Sequence, residues 1–455
     1  MQFKLAPLAL LLTGALTLSA CGGDDGDRGP QGLPGQDGAN GAPGDQGPQG
    51  PAGEDASAST ISLSFLGRYE TGQFDESAAE IVDFDPATQR AFVVNANSGQ
   101  IDVLDASSPA APTLINSLDV AADVAGAIAG LDAADLGAAN SVAVNSGRVA
   151  VAIEADTKQD NGYVAFYSTD GTFVSAVEAG ALPDMVTFTP DGAKVLAANE
   201  GEPNGDYSVD PEGSITIVDI SGGIAGLSAA NVTQLSLNSA PLIGDVRISA
   251  KSASQGQDLE PEYIVVSDDS QTAFVILQEN NAVAEIDLTN DTVSRIVALG
   301  YKDFSIPGNE LDASNRDDSV NIRNWPVFGV YMPDGADAYT VNGTTYLVTA
   351  NEGDARAWGE DNDAYWGTEG AGCAGDASQG FVEEFRVKHL VHADGFDRRC
   401  GDDLPPQLRA LGAGGLLNPT TFGYCGAVDG DPGDCREDDV LGRLNITWTE
   451  GYRTT

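Results

Sequence analysis

From about residue 60 onward, short runs of β-branched and aromatic residues alternate with turn signals. That is the period-two pattern of strands, not the 3.6-residue period of amphipathic helices. The runs also repeat. EIVDFDPATQRAFVVNA, beginning at Glu80, aligns with DMVTFTPDGAKVLAANE from Asp184 and EYIVVSDDSQTAFVILQ from Glu262. NSVAVNSGRVAVAIE, from Asn140, is a fourth copy whose hairpin is two residues shorter. A fifth is partial: VFGVYMPDG from Val327, a longer connection, then YLVTANEG. Third strands follow in IDVLD from Ile101, YVAFY from Tyr163, ITIVD from Ile215 and VAEID from Val283. FVSAVEA from Phe173 and VSRIVAL from Val293 supply fourth strands. Four-stranded units in tandem describe the blades of a β-propeller. The expectation is therefore an all-β propeller over residues 59–455, with about five recognisable blades of an incomplete larger ring. The Ala-rich stretch from Asp119 to Ala139 is expected to be an excursion between blades, helical in part.

The repeat register carries chemistry. First strands begin with Glu80, Asn140, Asp184 and Glu262; second strands end with Ala96, Glu154, Glu200, Gln278 and Glu352. The start of one strand of an antiparallel hairpin faces the end of the next, so Asp184 should lie opposite Glu200 and Asn140 opposite Glu154. In the fifth copy Val327 takes the first column. First strands line a propeller's channel, so these side chains should ring one of its mouths. Like charges facing across a ladder are destabilising unless bridged, and converging hard oxygens suit Ca²⁺, with Mg²⁺ the poorer fit. The expected ligands are Glu80, Glu154, Asp184, Glu200, Glu262 and Glu352. The alternative is that water and raised carboxylate pKa values absorb the repulsion.

The charge balance sharpens this picture. The 455 residues hold 22 Lys+Arg against 69 Asp+Glu, a formal charge of -47. Such a chain repels nucleic acid and attracts cations, although a solvated acidic surface is the plainer explanation of the number and a specific cation role needs a constellation of ligands. Only two histidines occur, His389 and His392, which nearly excludes a His-rich zinc or copper site. The bases Lys302, Arg316, Arg323 and Arg356 are unusually close in sequence. Beside a carboxylate-held metal they could bind a phosphate ester; otherwise they form structural ion pairs.

The first 58 residues are of another kind. Residues 1–20 read as an export signal, with Lys4 before an apolar run too short to span a membrane comfortably. The run ends in Leu18-Ser19-Ala20-Cys21, which resembles a bacterial lipobox and implies a lipid anchor on Cys21. Gly22 follows, with no Asp there to suggest inner-membrane retention, so outer membrane or cell surface is expected. From Gly23 to Asp55 glycine opens eleven consecutive triplets, the collagen period, in which only glycine fits at the axis of three wound chains. Residues 21–58 are thus either a trimeric stalk of roughly 100 Å or a solvated linker. Cys373, Cys400, Cys425 and Cys435 crowd into an insertion at about 360–440. In an oxidising compartment they should form two disulfides, with three possible connectivities; Cys373–Cys400 with Cys425–Cys435 is the one favoured here.

The run LPDMVTFTPDGAKVLAANEGEPNGDYSVDPEGSITIVDIS resembles the hallmark of the choice-of-anchor I family, as do QDLEPEYIVVS, FVILQENNAVAEID, PGNELDASNRD, NIRNWPVFGVYMPD and LVTANEGDAR. The similarity covers roughly residues 75–447. It implies a secreted or surface-anchored propeller of calcium-rich matrices, related to mesenchyme-specific cell-surface glycoproteins. Members continue past the LGRL segment into further blades, so the chain is expected to be C-terminally truncated. Two functions follow. One is a non-catalytic surface module that binds calcium and a matrix or cell-surface ligand. The other is a calcium-dependent, phytase-like phosphomonoesterase using Lys302, Arg316, Arg323 or Arg356 for phosphate. No GxSxG, HExxH or P-loop supports any other enzyme class.

Overall fold

The computed structural model describes residues 62–359 (Asp75 and Ser252 excepted), 362–367, 375–388, 397–398, 401–402, 427–428, 431–432, 435 and 437–447. The signal, Cys21, the stalk, His389, His392, Cys373, Cys400 and Cys425 lie outside the described residues. Cys435 is within them and fully buried.

Four consecutive antiparallel sheets follow the repeats. The first comprises β1 (Val82–Asp85), β2 (Arg90–Asn95), β3 (Gln100–Asp105) and β4 (Thr113–Leu118). The second holds β5 (Leu136–Asn145), β6 (Arg148–Ala155), β7 (Asn161–Ser168) and β8 (Phe173–Ala181). β9 (Pro183–Phe188), β10 (Lys194–Asn199), β11 (Ser214–Asp219) and β12 (Val232–Ser236) form the third. In the fourth, β14 (Pro261–Val266), β15 (Thr272–Leu277), β16 (Ala282–Asp287) and β17 (Thr292–Ala298) gain the short β13 (Leu242–Ile243), which pairs parallel to β17 at the outer edge. Each sheet meanders outward from its first strand. The fold is an all-β propeller.

Packing explains the near-continuous apolar runs. Blades stack face to face, so a central strand is buried on both sides and both parities of its side chains must be apolar. Along β6, Val149, Val151 and Ile153 pack into the core shared with the first blade, while Ala150 and Ala152 enter the core shared with the third. Along β10, Val195 and Ala197 face the second blade, and Leu196 and Ala198 the fourth. The expected excursion contains α1 (Val120–Ala127), capped by Asp119, whose carboxylate accepts from Ala122 N at 3.1 Å. Val120 and Val124 of α1 close the end of the first core.

The fifth copy differs from expectation. Val327 is buried, but in a separate cluster with Trp325, Tyr365, Trp366 and Phe385. The innermost strand of the fifth unit starts later, at Pro333–Val341, and pairs through the tight Asn342-Gly343 turn with Thr344–Asn351. The first column therefore holds Asp334, not Val327. A single apolar strand in VFGVY looks like a blade's first strand in sequence, yet Phe328–Val330 pairs with Tyr301–Asp303 instead. The first strands of all five units lie side by side in chain order, as staves along one wall of a channel.

Phe166 is fully buried between the second and third blades. Phe166→Ala should destabilise the domain by about 3–5 kcal/mol, read as a lowered denaturation midpoint. A loss under ~1 kcal/mol would mean the blades do not share that core.

Candidate functional site

The same irregularity recurs at the mouth end of the first strands of the second to fifth units. In the second blade Ala139 pairs with Ile153 and Ser141 with Ala152, leaving Asn140 unpaired. In the third, Pro183 pairs with Asn199 and Met185 with Ala198, leaving Asp184. In the fourth, Pro261 pairs with Leu277 and Tyr263 with Ile276, leaving Glu262. In the fifth, Pro333 pairs with Asn351 and Gly335 with Ala350, leaving Asp334. A β-bulge re-aims a side chain and ends regular pairing, and proline, lacking a donor, is tolerated at such a position. Proline followed by an acid is the sequence mark of this device in three blades.

Second strands leave the mouth through a matching turn. Glu200 N donates to Leu182 O at 2.9 Å, and Glu352 N to Met332 O at 3.2 Å. Asp184 therefore does not face Glu200 squarely; Asn199 takes the paired place and Glu200 follows it. Gly201 and Gly353 then turn left-handed, with φ of 70° and 91°, where a side chain would be strained. Leu182 and Met332, both buried, also hold positive φ just before the Pro-acid pair. Such residues cost of order 1–3 kcal/mol each and persist because the packing around them dictates the backbone.

These turns gather carboxylates. Burial raises Asp184 to about 6, with repulsion from Asp334, Glu154 and Glu80 adding to it and Lys158 opposing. Glu200 sits well above the usual carboxylate range, first through burial and then through Asp184, Glu202, Glu279 and Glu260. Glu202 is pushed up to about 7 by burial and Glu279. Glu262 is pushed up to about 12 by burial, then by Glu279, Glu200 and Asp184. Asp334 is raised by desolvation and by Glu352. Glu154 is anchored by Asn140 Nδ2 at 3.3 Å, the partner expected from the register. Glu352 accepts from Gln278 Nε2 at 3.0 Å, which joins the fourth and fifth units. Of the six carboxylates expected at the mouth, Glu154, Asp184, Glu200 and Glu262 act on one another, Glu352 acts on Asp334, and Glu80 is exposed and contributes least.

Behind them lies a charged brace. Arg356 is buried; its Nη2 donates to Asp258 O at 2.7 Å and Glu260 Oε2 at 2.9 Å. Arg247, equally buried, pairs with Glu383. Asn280 Nδ2 donates to Arg247 O at 2.9 Å and Asp258 O at 2.8 Å. Glu260, raised far above the carboxylate range by burial, is held from the other side by Arg356. The remaining bases singled out in the sequence lie elsewhere. Lys302 Nζ sits over the Phe304 ring at 5.1 Å, and the Arg323 guanidinium over Trp325 at 4.1 Å. Arg316 is exposed in the 313–321 loop. None of these three is among the charges acting most strongly on the acidic groups.

Sequence reasoning missed Asp334, Glu202, Glu260, Glu279 and Lys158. Asp334 was legible from the repeated Pro-acid pair. Glu279 stands one place beyond Gln278, so a strict column passed over it. Glu260 and Lys158 occupy places where other blades carry unrelated residues, and no signal marked them, whereas Glu202 was legible in the Asn-Glu-Gly-acid run repeated at 199–202 and 351–354.

Oxygen donors of this kind suit Ca²⁺, and Glu279 Oε2 is buried without a hydrogen-bond partner. Among the described residues, however, no three His, Cys, Asp or Glu side chains are already drawn together to enclose a metal. An ion would have to pull the carboxylates inward.

A family model described as the choice-of-anchor I domain matches residues 80–399. Among curated proteins none matches the chain. Similar solved structures include Kuenenia stuttgartiensis hydrazine synthase, at 13% identity and a TM-score of 0.34 over 63% of this chain and 71% of that one. Another is the Myceliophteria thermophila Cps50 (Swd1) β-propeller domain, at 11% identity and 0.32 over 50% of this chain and 58% of that one. Myxococcus xanthus glutaminyl cyclase gives 12% and 0.28, over 60% and 86%.

The raised carboxylates fix the sign of a pH effect. The fold binds their protons more tightly than the unfolded chain does, so their stabilisation is complete below the ordinary values near 4. It is lost as pH rises through the folded values, about 6 for Asp184 and about 7 for Glu202. In chelator, Tm should fall by several degrees between about pH 4.5 and 7.5. A Tm that rises across that window would contradict the burial of these groups.

Proposed function

The chain belongs to the choice-of-anchor I domain family, and on that footing we propose that it is a surface-anchored, non-catalytic module. In this reading the acidic mouth binds a divalent cation, Ca²⁺ in preference to Mg²⁺, and the cation-loaded face meets a matrix or cell-surface ligand. The observation that carries the reading is the convergence of Glu154, Asp184, Glu200 and Glu262, from three blades, under mutual repulsion. Bringing one divalent cation among them would replace proton uptake with charge pairing, and carboxylates of variable denticity accommodate Ca²⁺ more readily than the strict octahedron of Mg²⁺.

Binding is favoured over phosphoester hydrolysis because three of the four bases a phosphate would need are committed elsewhere and the fourth, Arg316, lies in the exposed 313–321 loop. Arg356 is spent on Asp258 and Glu260, and Lys302 and Arg323 lie on aromatic rings. The anchor is a lipid on Cys21, which places the protein at the outer membrane or cell surface. No helix among the described residues is long and apolar enough to cross a membrane. The Gly-X-Y repeat within residues 21–58 follows that anchor in sequence, and in this reading it serves either as a collagen-like stalk that trimerises the lipidated protein or as a solvated linker. Two disulfides among Cys373, Cys400, Cys425 and Cys435 brace the insertion.

Calorimetric titration with Ca²⁺ at pH 7 tests the site. Wild type should bind with release of protons, seen as a heat that depends on the buffer's ionisation enthalpy. The Asp184→Asn/Glu200→Gln double variant should bind at least about tenfold more weakly. Identical isotherms for the two proteins would dismiss the site.

A further inference from the structure

The loop that joins the second and third strands of the second blade, residues 156–160, leans over the acidic mouth. Lys158 Nζ lies 3.7 Å from Glu154 Oε2; the lysine side chain is 55% exposed, whereas Glu154 is 13% exposed. The neighbouring residue ties the loop across the blade boundary, for Gln159 Nε2 donates to Glu202 O at 3.1 Å. Glu154 in turn is held by Asn140, whose Nδ2 also reaches Pro183 O at 3.3 Å, directly before Asp184. The ammonium thus stands between groups of two blades, and its charge acts on Asp184 and Glu202 as well as Glu154. Among the cations acting on this cluster Lys158 is the exposed one, since Arg356 is buried behind it.

We propose that Lys158 is a tethered competitor for the cation: its ammonium fills part of the acidic mouth when no divalent ion is bound and swings into solvent when one binds. The inference rests on the cation-binding reading above. A single long contact from a half-exposed lysine is worth little, and four rotatable bonds let the head leave without moving the backbone. A divalent ion delivers twice the charge and can accept several oxygens at once, which an ammonium with three donors cannot match. The lysine therefore sets a threshold concentration and selects against monovalent ions, which would exchange one charge for one.

Two readouts test the idea on the mature full-length protein. Lys158→Gln should bind Ca²⁺ about fivefold more tightly, and Lys158→Arg should retain the wild-type affinity. In wild type, Lys158 should react faster with an amine-specific acylating reagent once Ca²⁺ is added, as followed by peptide mass spectrometry. A charge acting only from a distance would raise affinity in the Gln variant without changing that labelling rate, and this result would overturn the competitor role. Unchanged affinity in the Gln variant, with wild type binding normally, overturns it also and leaves the cation site standing. Failure of both wild type and Lys158→Gln to bind Ca²⁺ removes the cation site itself and the competitor with it. Binding by the Gln variant alone would show the lysine holding the site shut.

Discussion

A carboxylate taken out of water beside another carboxylate must give up its charge or find a cation. In this chain that constraint is imposed by the propeller itself. The second and third blades bury their central strands on both faces, and the first strands of all five units stand side by side. Whatever residue begins one of them is delivered to the same end of the channel as its counterparts. The acids at Asp184, Glu262 and Asp334 could not be dispersed without dismantling the sheet packing. Their proximity follows from the fold, and the fold must tolerate it.

The local devices are few and repeat. A Pro-acid pair at a bulge frees one side chain from the ladder in each of three blades, and a Glu-Gly turn at the end of the partner strand brings a second acid alongside in two. Arg356 and Arg247 supply fixed positive charge beneath, so that Asp258, Glu260 and Glu383 are structural members, not ligands awaiting an ion. The division is useful. Removing Arg356 would leave buried acids unpaired, a strongly destabilising change, whereas removing an acid from the mouth relieves repulsion.

Much of this was legible in the sequence because period-two runs and repeated columns are local properties. The inner three strands of the first four blades, the Asn140–Glu154 contact and the helical excursion after Asp119 follow from pattern alone, whereas the outer strands Thr113–Leu118 and Val232–Ser236 were not marked by it. What escaped depended on partners distant in the chain. VFGVY has the composition of a first strand, but whether it pairs with Thr344–Asn351 or with Tyr301–Asp303 is settled by packing around Trp325. Gln278 is the true counterpart of Glu200, and Glu279 stands one place beyond it, outside the column that was read. Lys158 belongs to a loop with no repeat at all, and two of the acids it acts on, Asp184 and Glu202, come from the third blade. Arg356 looked like a ligand-binding base in a chain poor in base, and its burial beside Glu260 could not be read from spacing.

The central claim is that carboxylates of separate blades share one ion. A crystal structure of the protein grown near pH 7 in Ca²⁺ tests it most directly. The account predicts a single density peak bonded at about 2.3–2.6 Å to oxygens from at least two of Asp184, Glu200 and Glu262, with the Lys158 ammonium turned away. Carboxylates of the mouth paired to one another through shared protons and water, with no ion among them, would contradict it.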